Sequence, residues 1–363
     1  MTSLDKDTFE ATLGAFVDPN AGISLAESGA LGAIRVDGDQ VDVDIELGYP
    51  CVRYKDTLQS DLRDAVQAVP GLGRCTFHIS HRITAHSVQH GVKRMSNVKN
   101  IIAVASGKGG VGKSTTSVNV ALALASEGAT VGLLDADIYG PSQPRMMGLS
   151  GQPDSKDGKS LEPMENYGVQ TMSIGFLIDE ESPMIWRGPM VTQALEQLLN
   201  DTQWRDLDYL IIDLPPGTGD TQLTLAQKVP VSGAIIVTTP QDIALLDARK
   251  VLKMFEKVEI PILGIVENMS LHICSQCGHE EAIFGQGGGE RMASESDVEL
   301  LGRLPLDIRI REQADTGHPT VVSEPESRAA EIYREVARKA AARLSLQSKD
   351  YSASFPNIVI QNN

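Results

Sequence analysis

The sequence predicts an α/β fold: a doubly wound, mostly parallel sheet covered by helices on both faces, with a small α/β domain in front of it. From residue 100 onward, short apolar runs alternate with helical stretches, which is typical of parallel strands buried on both faces. Before residue 87, two segments instead alternate apolar and polar residues, as half-buried strands do. The change of pattern predicts two structural units.

Residues 1–86 are expected to form the small domain. The helical spacing and the period-two alternation predict helices over 5–16 and 58–69 and strands over 40–47 and 75–85, with a further strand near 29–36. Residues 87–99 are polar and locally basic without a period, and are predicted to be a linker.

Residues 100–345 are expected to form the larger domain, and residues 346–363 a tail. Its predicted strands are 101–106, 130–135, 169–174, 209–213, 234–238 and 262–267, and its predicted covering helices are 115–127, 189–199 and 244–257.

Composition limits the class of partner. The chain has 363 residues, of which 41% are hydrophobic, so more than one buried core is possible. Its 32 basic and 48 acidic side chains give a net charge of −16. A surface this acidic repels nucleic acids and anionic membranes, so we expect neither as a partner.

The expected location is the cytoplasm. No run approaches the ~20 apolar residues that cross a bilayer, and the first residues are acidic and lack the apolar centre of a secretion signal. The four cysteines are too few for a disulfide framework and are expected to be thiols or metal ligands.

The strongest motif is a glycine-rich loop between the first strand and the first helix of the larger domain. It fits the pattern G-x-x-x-x-G-K-[ST] and consists of Gly107, Lys108, Gly109, Gly110, Val111, Gly112, Lys113, Ser114 and Thr115. Such a loop turns backbone N–H groups toward phosphate, and the following helix adds its positive end. Lys113 is expected to reach the β- and γ-phosphates of a nucleotide, and Ser114 to hold Mg²⁺.

Acidic side chains follow two further strands at the same predicted sheet edge. Asp213 ends the strand 209–213, the usual position of an acid that helps to hold Mg²⁺. Asp135 and Asp137 follow the strand 130–134, where an acid is placed to orient an attacking water. The Pro- and Gly-rich loop 214–220 is expected to sense the γ-phosphate.

The phosphate loop resembles that of a known family because of Lys108, which directly follows the first glycine. This is the deviant loop of the family that holds MinD, ParA and the nitrogenase iron protein. The stretches DADIYGPS (135–142), DLPPGTGD (213–220) and VENMS (266–270), with Cys274 and Cys277, are similar to its Mrp/ApbC branch. The resemblance covers residues 99–344.

The resemblance implies an ATP-dependent homodimer that carries iron–sulfur clusters to apo-proteins. It implies that Lys108 reaches the nucleotide of the partner, that Asp137 orients the attacking water, and that Asn268 contacts adenine. Asp213 and its loop would form the second switch. The first 86 residues resemble a domain related to iron–sulfur assembly factors, in which the position of Cys51 often holds a reactive cysteine.

Cys274 and Cys277 bring two thiolates within reach of one metal. A [4Fe–4S] cluster usually takes four cysteines, and a symmetric dimer supplies four across its two-fold axis. His272 and His279 flank the pair, so a Cys₂His₂ zinc site within one chain is the alternative. A site without metal is the third interpretation.

The expected function is therefore an ATPase that binds a [4Fe–4S] cluster at a homodimer interface and passes it to apo-proteins, with cluster assembly factors as further partners. Two other hypotheses stand beside it. The first is a nucleotide-dependent positioning switch of the MinD/ParA type, and the second is a zinc or nickel metallochaperone.

Overall fold

The chain is described here from a computed structural model over residues 4–178, 188–274 and 277–350. The first three residues of the predicted small domain and residues 351–363 of the predicted tail lie outside these ranges. A three-stranded sheet and an eight-stranded sheet account for most of the strands.

The small sheet lies in the N-terminal part of the chain. Its elements in chain order are α1 Lys6–Gly14, α2 Leu25–Ser28, β1 Leu31–Asp37, β2 Gln40–Leu47, α3 Lys55–Val66 and β3 Arg74–His81. Strand β2 is central, antiparallel to β1 and parallel to β3. Helix α3 buries Leu58, Leu62 and Val66, which recur every four residues and so share one face.

The large sheet and its connections follow. The strands are β4 Val98–Ala105, β5 Val131–Asp135, β6 Met164–Asn166, β7 Val169–Ser173, β8 Leu207–Asp213, β9 Gly233–Thr238, β10 Ile262–Glu267, β11 His272–Ile273, β12 Glu280–Glu281 and β13 Leu300–Arg303. The helices are α4 Lys113–Ser126, α5 Gln143–Met146, α6 Gly188–Asp201, α7 Asp220–Lys228, α8 Asp242–Lys257, α9 Gly288–Glu295, α10 Ile308–Asp315, α11 Thr320–Ser323 and α12 Arg328–Ser345.

The strand order is β13-β10-β9-β4-β8-β5-β7-β6. All neighbours are parallel except β6, which is antiparallel to β7. The central strands β5 and β9 are buried along their whole length, and β8 is buried at every position but Asp208, which explains their continuous apolar runs. The predicted doubly wound, mostly parallel α/β class is confirmed.

The six strands predicted for the larger domain are present, and the sequence interpretation missed the two-residue strands β11 and β12. It also missed β6 and β13 of the large sheet. Both are edge strands of three and four residues, too short to establish a period. No helix in the described ranges has the length and apolar content to cross a membrane.

The segment 87–99, predicted to be a linker, packs against the large sheet. The side chain of Gln89 is buried; its amide nitrogen donates to Ala226 O, and its amide oxygen accepts from Val231 N at 3.1 Å. Residues 346–350 pack as well, since Ser87 N donates to Ser348 O and Arg94 pairs with Asp350 at 2.9 Å. Tertiary hydrogen bonds thus order segments that have no periodic signal.

The topology brings the site residues together. Strands β4, β5, β8 and β10 are parallel neighbours or near neighbours, so their carboxyl ends meet at one edge of the sheet. The phosphate loop follows β4, and Asn268 follows β10. Asp135 and Asp213 are the last residues of β5 and β8, and Asp137 lies two residues after the end of β5.

Candidate functional site

The phosphate loop connects β4 to α4 and needs glycine at two contact points. Gly107 packs against α8, where a Cβ would collide with the backbone of Asp247. Gly112 has φ +84 and borders the amide of Asn268. Both positions require a residue without a Cβ, because the loop is closely packed against α8 on one side and the Asn268 side chain on the other.

The side chain of Asn268 is hydrogen-bonded to the phosphate loop. Its amide nitrogen donates to Val111 O at 2.8 Å, and its amide oxygen accepts from Met269 N. The side chain is 8% exposed. The predicted adenine contact stays a prediction, and the structure places this side chain against the turn that begins α4.

Lys113 is paired with the acid at the end of β8. Its ammonium lies 2.5 Å from Asp213 Oδ1, and the two side chains are 6% and 0% exposed. Lys113 is also 3.3 Å from Ser114 Oγ. The cation expected on the phosphates and the acid expected on Mg²⁺ therefore neutralise each other in this structure.

Two residues that sequence reasoning missed complete the surroundings of Asp213. Ser117 Oγ donates to Asp213 Oδ1 at 2.9 Å. Gln143 Nε2 donates to Asp213 Oδ2 at 2.9 Å and to Ser114 O at 3.0 Å. Ser117 lies one turn after Lys113 on α4, a spacing that makes it a candidate. Gln143 begins the four-residue helix α5, which is too short to give any such signal in the sequence.

The two acids after β5 differ in role. Asp135 is fully buried and accepts from the backbone N–H groups of Asp137, Ser142 and Gln143. Burial raises the pKa of Asp135 to about 7, and the nearby Asp213 carboxylate adds to the rise. Asp135 therefore shapes the loop 136–143.

Asp137 is half-buried at the same edge. Burial raises its pKa above the ordinary value, while the Lys113 ammonium opposes the rise. Lys108 is half-buried in the loop, and its carbonyl accepts from Ser106 Oγ at 3.0 Å. The roles expected for these two side chains stay predictions.

The residues of the loop fit a nucleotide and its magnesium ion. The oxygen-bearing side chains of Ser114 and Asp213 suit Mg²⁺, which binds oxygen ligands and keeps several waters. The oxygens Gln143 Oε1 and Ser142 Oγ, buried in the segment that follows β5, have no hydrogen-bond partner among the described residues. Donors such as metal-bound water would satisfy them.

The cysteine pair is held on a short hairpin. Strands β11 and β12 are antiparallel, and Cys274 N donates to His279 O while Gly278 N donates to Cys274 O. Cys277 is exposed and Cys274 half-buried. The thiols are therefore displayed at the surface on a backbone turn that hydrogen bonds define.

The zinc alternative receives no third ligand in the part of the chain that the structure describes, where no three His, Cys, Asp or Glu side chains converge on one point. Nδ1 of His272 lies 3.0 Å from Leu306 O, so that nitrogen donates to a carbonyl. A pair of thiolates on one chain is half of the ligand set that a [4Fe–4S] cluster needs.

The hairpin is joined to the phosphate loop by the turn after β10. Glu267 is buried; its carboxylate accepts from Ser270 Oγ at 2.6 Å and from Gly289 N at 2.5 Å. Asn268, inside this turn, bonds to the phosphate loop, and Cys274 follows six residues later in the sequence. The phosphate loop is thus hydrogen-bonded to the same short segment after β10 that leads to the cysteines, and the Glu267 carboxylate fixes this segment in place.

Cys51 does not have the environment of a reactive cysteine. Its thiol is fully buried, 3.7 Å from His81 Nδ1. Burial raises the pKa of Cys51 to about 12, so the thiolate that reacts with electrophiles is scarce at neutral pH. The resemblance implies a reactive thiol at this position, whereas the structure places the Cys51 side chain inside the hydrophobic core.

We expect alkylation to distinguish the cysteines. With iodoacetamide at pH 8, Cys277 should be labelled rapidly, and Cys51 should react roughly 10²-fold more slowly because it is buried and protonated. Peptide-resolved mass spectrometry in the native protein and in urea measures both rates. Equal native rates would contradict the buried environment of Cys51.

Comparison with known proteins decides the family. A model of the NUBPL iron-transfer P-loop NTPase family matches residues 97–341. The chain belongs to this family. A second model, described as an iron–sulfur cluster assembly protein, matches residues 6–77.

Relatives of this P-loop NTPase cover most of its length. It is 50% identical over 339 residues to an iron–sulfur cluster carrier protein of Escherichia coli, covering 93% of this chain and 92% of the relative. It is 58% identical over 278 residues to a protein of the same description from Pseudomonas fragi, covering 76% and 97%. The mouse iron–sulfur cluster transfer protein NUBPL is 51% identical over 254 residues, covering 69% and 80%.

Solved structures resemble the NTPase part. An ADP complex of a nucleotide-binding protein from Archaeoglobus fulgidus is 38% identical with a TM-score of 0.57, covering 64% of this chain and 91% of that one. MinD from Pyrococcus furiosus, 24% identical with a TM-score of 0.51 over 66% and 97%, shares the fold. The chain is a P-loop ATPase.

Proposed function

We propose that this ATPase is a carrier of iron–sulfur clusters, which holds one [4Fe–4S] cluster as cargo between Cys274 and Cys277 of two copies in a symmetric homodimer. The observation that carries the proposal is the surface hairpin with its two thiols, joined through the Glu267 turn to the phosphate loop. The names of the relatives support it.

Nucleotide binding at Gly107, Gly109, Gly110, Val111, Gly112 and Thr115 rests on their backbone N–H groups. In this reading, Lys113 leaves Asp213 and binds the β- and γ-phosphates, while Asp213 and Ser114 hold the magnesium ion. The free enzyme avoids a buried unpaired charge because Lys113 and Asp213 neutralise each other. In the loaded site, phosphate would replace Asp213 as the partner of Lys113, and Mg²⁺ would replace Lys113 as the partner of Asp213.

Hydrolysis needs a group that orients water. Asp137 has this role in the proposal because it lies beside Lys113 and Asp213 at the carboxyl edge of the sheet. Lys108 acts on the nucleotide of the partner, where it neutralises charge that develops in the transition state. When bound, Mg²⁺ supplies positive charge at the phosphate oxygens. Asn268 contacts adenine.

Cluster binding needs the dimer, because each chain offers two thiolates on this hairpin and a cluster usually takes four. A cluster bound at exposed cysteines is accessible to an acceptor, which suits transfer to apo-proteins. Changes at the phosphate loop reach the hairpin through Asn268 and the Glu267 clamp.

The proposal assigns a separate role to each of the two units of the chain. We propose that residues 1–86 form the unit that meets cluster assembly factors, that residues 100–345 form the ATPase unit, and that the protein acts in the cytoplasm without nucleic acid or membrane partners. The acidic charge of −16 supports the last point, since it disfavours binding to polyanions.

The deciding experiment measures iron, acid-labile sulfide and zinc per chain in anaerobically purified protein, beside the variant Cys274→Ala/Cys277→Ala. We expect about two irons and two sulfides per chain, lost in the variant, since one [4Fe–4S] is shared by two chains. Cys75→Ala, at a half-buried cysteine of the small sheet, is the matched control and should retain the cluster.

Other outcomes support other functions. Stoichiometric zinc without iron indicates a metallochaperone or a structural zinc site. No metal after reconstitution with iron and sulfide indicates a nucleotide switch, which sedimentation with liposomes or DNA in the presence of ATP would then test. Either result would overturn the carrier proposal while leaving the ATPase intact.

A further inference from the structure

Gln143 has an unusual position for a neutral side chain. It is the first residue of α5, fully buried, and its amide nitrogen donates to both Asp213 Oδ2 and Ser114 O. Both neighbours of the nitrogen are acceptors, so the amide orientation is determined by chemistry: a flipped amide would place oxygen against oxygen.

The other half of the amide is unsatisfied. Gln143 Oε1 is buried and accepts no hydrogen bond from the described residues. A buried carbonyl without a donor costs on the order of 1–3 kcal/mol. This oxygen lies on the same amide that bonds to the residues proposed to hold magnesium, so a donor that arrives with the metal would satisfy it.

Magnesium brings suitable donors. Mg²⁺ dehydrates reluctantly and keeps several waters when protein side chains and phosphates supply its other ligands. Water bound to a cation is a strong hydrogen-bond donor, and residues that accept from it tune metal affinity without touching the ion. Lys113 is engaged by Asp213 in the free site and is expected on the phosphates afterwards.

We propose that Gln143 is a positioning residue for magnesium: its amide nitrogen orients Asp213, and its amide oxygen accepts a hydrogen bond from a water on the ion. The inference rests on the proposed placement of Mg²⁺ at Ser114 and Asp213. Gln143 N also donates to Asp135 Oδ2 at 3.0 Å, so this residue ties the loop after β5 to the metal site.

The test compares nucleotide affinity with and without magnesium. A fluorescent, non-hydrolysable ATP analogue is titrated into the full-length wild type and into Gln143→Met, in Mg²⁺ and in EDTA. We expect the affinity in EDTA to stay within about twofold, and the gain in affinity that Mg²⁺ produces to fall roughly 10-fold or more. Binding is read without turnover.

Gln89→Met is the matched control. Gln89 is also a buried glutamine with both amide atoms bonded, but its partners are backbone groups of Ala226, Val229 and Val231 rather than residues of the nucleotide site. The variant Gln89→Met should lower the free energy of unfolding and leave the gain in nucleotide affinity produced by Mg²⁺ unchanged. If Gln143→Met does not fold, Gln143→Asn, which retracts the amide by one methylene, must show the same loss.

The outcomes separate the inference from its premise. An unchanged magnesium effect in a folded Gln143 variant, or an equal loss of affinity in EDTA, overturns the role of Gln143. A wild type whose nucleotide affinity does not respond to Mg²⁺ overturns the proposed metal placement itself.

Discussion

Lys113→Ala is expected to lower ATP hydrolysis roughly 10²-fold or more, because it removes a preorganised cation from the phosphates. It should also destabilise the nucleotide-free protein by about 3 kcal/mol, because Asp213, fully buried and 2.5 Å from the ammonium, is left without its counter-ion. Steady-state ATPase rates and urea unfolding in the absence of nucleotide measure the two effects.

The double variant Lys113→Ala/Asp213→Ala separates these effects. It should recover part of the lost stability, since no unpaired buried charge remains, and none of the activity. Lys99→Ala is the control. Lys99, which is 47% exposed, pairs with Asp208 at the amino ends of β4 and β8, and its loss should lower the free energy of unfolding by less than about 1 kcal/mol. Equal losses of stability in Lys113→Ala and Lys99→Ala would contradict the burial of the Lys113–Asp213 pair.

Arg338→Met is expected to lower the free energy of unfolding by about 3 kcal/mol, because it weakens the contact between the N-terminal unit and the large sheet. Arg338 donates to Glu127 Oε1 at 2.7 Å, both side chains are almost fully buried, and the guanidinium stacks 4.8 Å from the Tyr54 ring centroid. Glu127 follows the last residue of α4, and its carboxylate also accepts from Arg53 N. Removing the cation leaves a buried carboxylate uncompensated.

Hydrogen exchange reports this contact directly. The amides of Val52 and Arg53 both donate to Glu127, so they should exchange faster in Arg338→Met than in the wild type. Arg328→Met removes an exposed partner of Glu335 on the same helix and should leave these amides unchanged. Unfolding curves for both variants give the stability difference, and protection that survives in Arg338→Met would contradict the expectation.

The helix α4 joins these two predictions. It begins at Lys113 on the phosphate loop and ends beside Glu127 at the contact with the N-terminal unit. The contact that holds the N-terminal unit is thus a direct neighbour, through one element, of the nucleotide site.

Much of the fold was predictable because its signals are local. Six of the eight strands of the large sheet appear as apolar runs, since strands buried on both faces favour apolar residues at successive positions. The short edge strands β6 and β13 were missed because three or four residues carry no period. The order in segment 87–99 was missed because it depends on Gln89 bonds to residues far along the chain.

The candidate site divides in the same way. Lys113, Ser114 and Asp213 were predicted because a phosphate loop and a strand-end acid are contiguous motifs. Gln143 and the Asn268 contact with Val111 were not, because an amide in a polar loop looks the same whether it faces solvent or a buried carboxylate. The inert environment of Cys51 is a matter of burial, which a single residue in the sequence does not reveal.

Sequence alone establishes the chemistry that this chain carries: a loop for phosphate, acids at strand ends and two thiols three residues apart. The tertiary structure decides which of these groups neutralise each other, as Lys113 with Asp213 and Glu127 with Arg338. The physical reason is distance along the chain. These partners are 100 and 211 residues apart, and only the packing of parallel strands and helices brings them together.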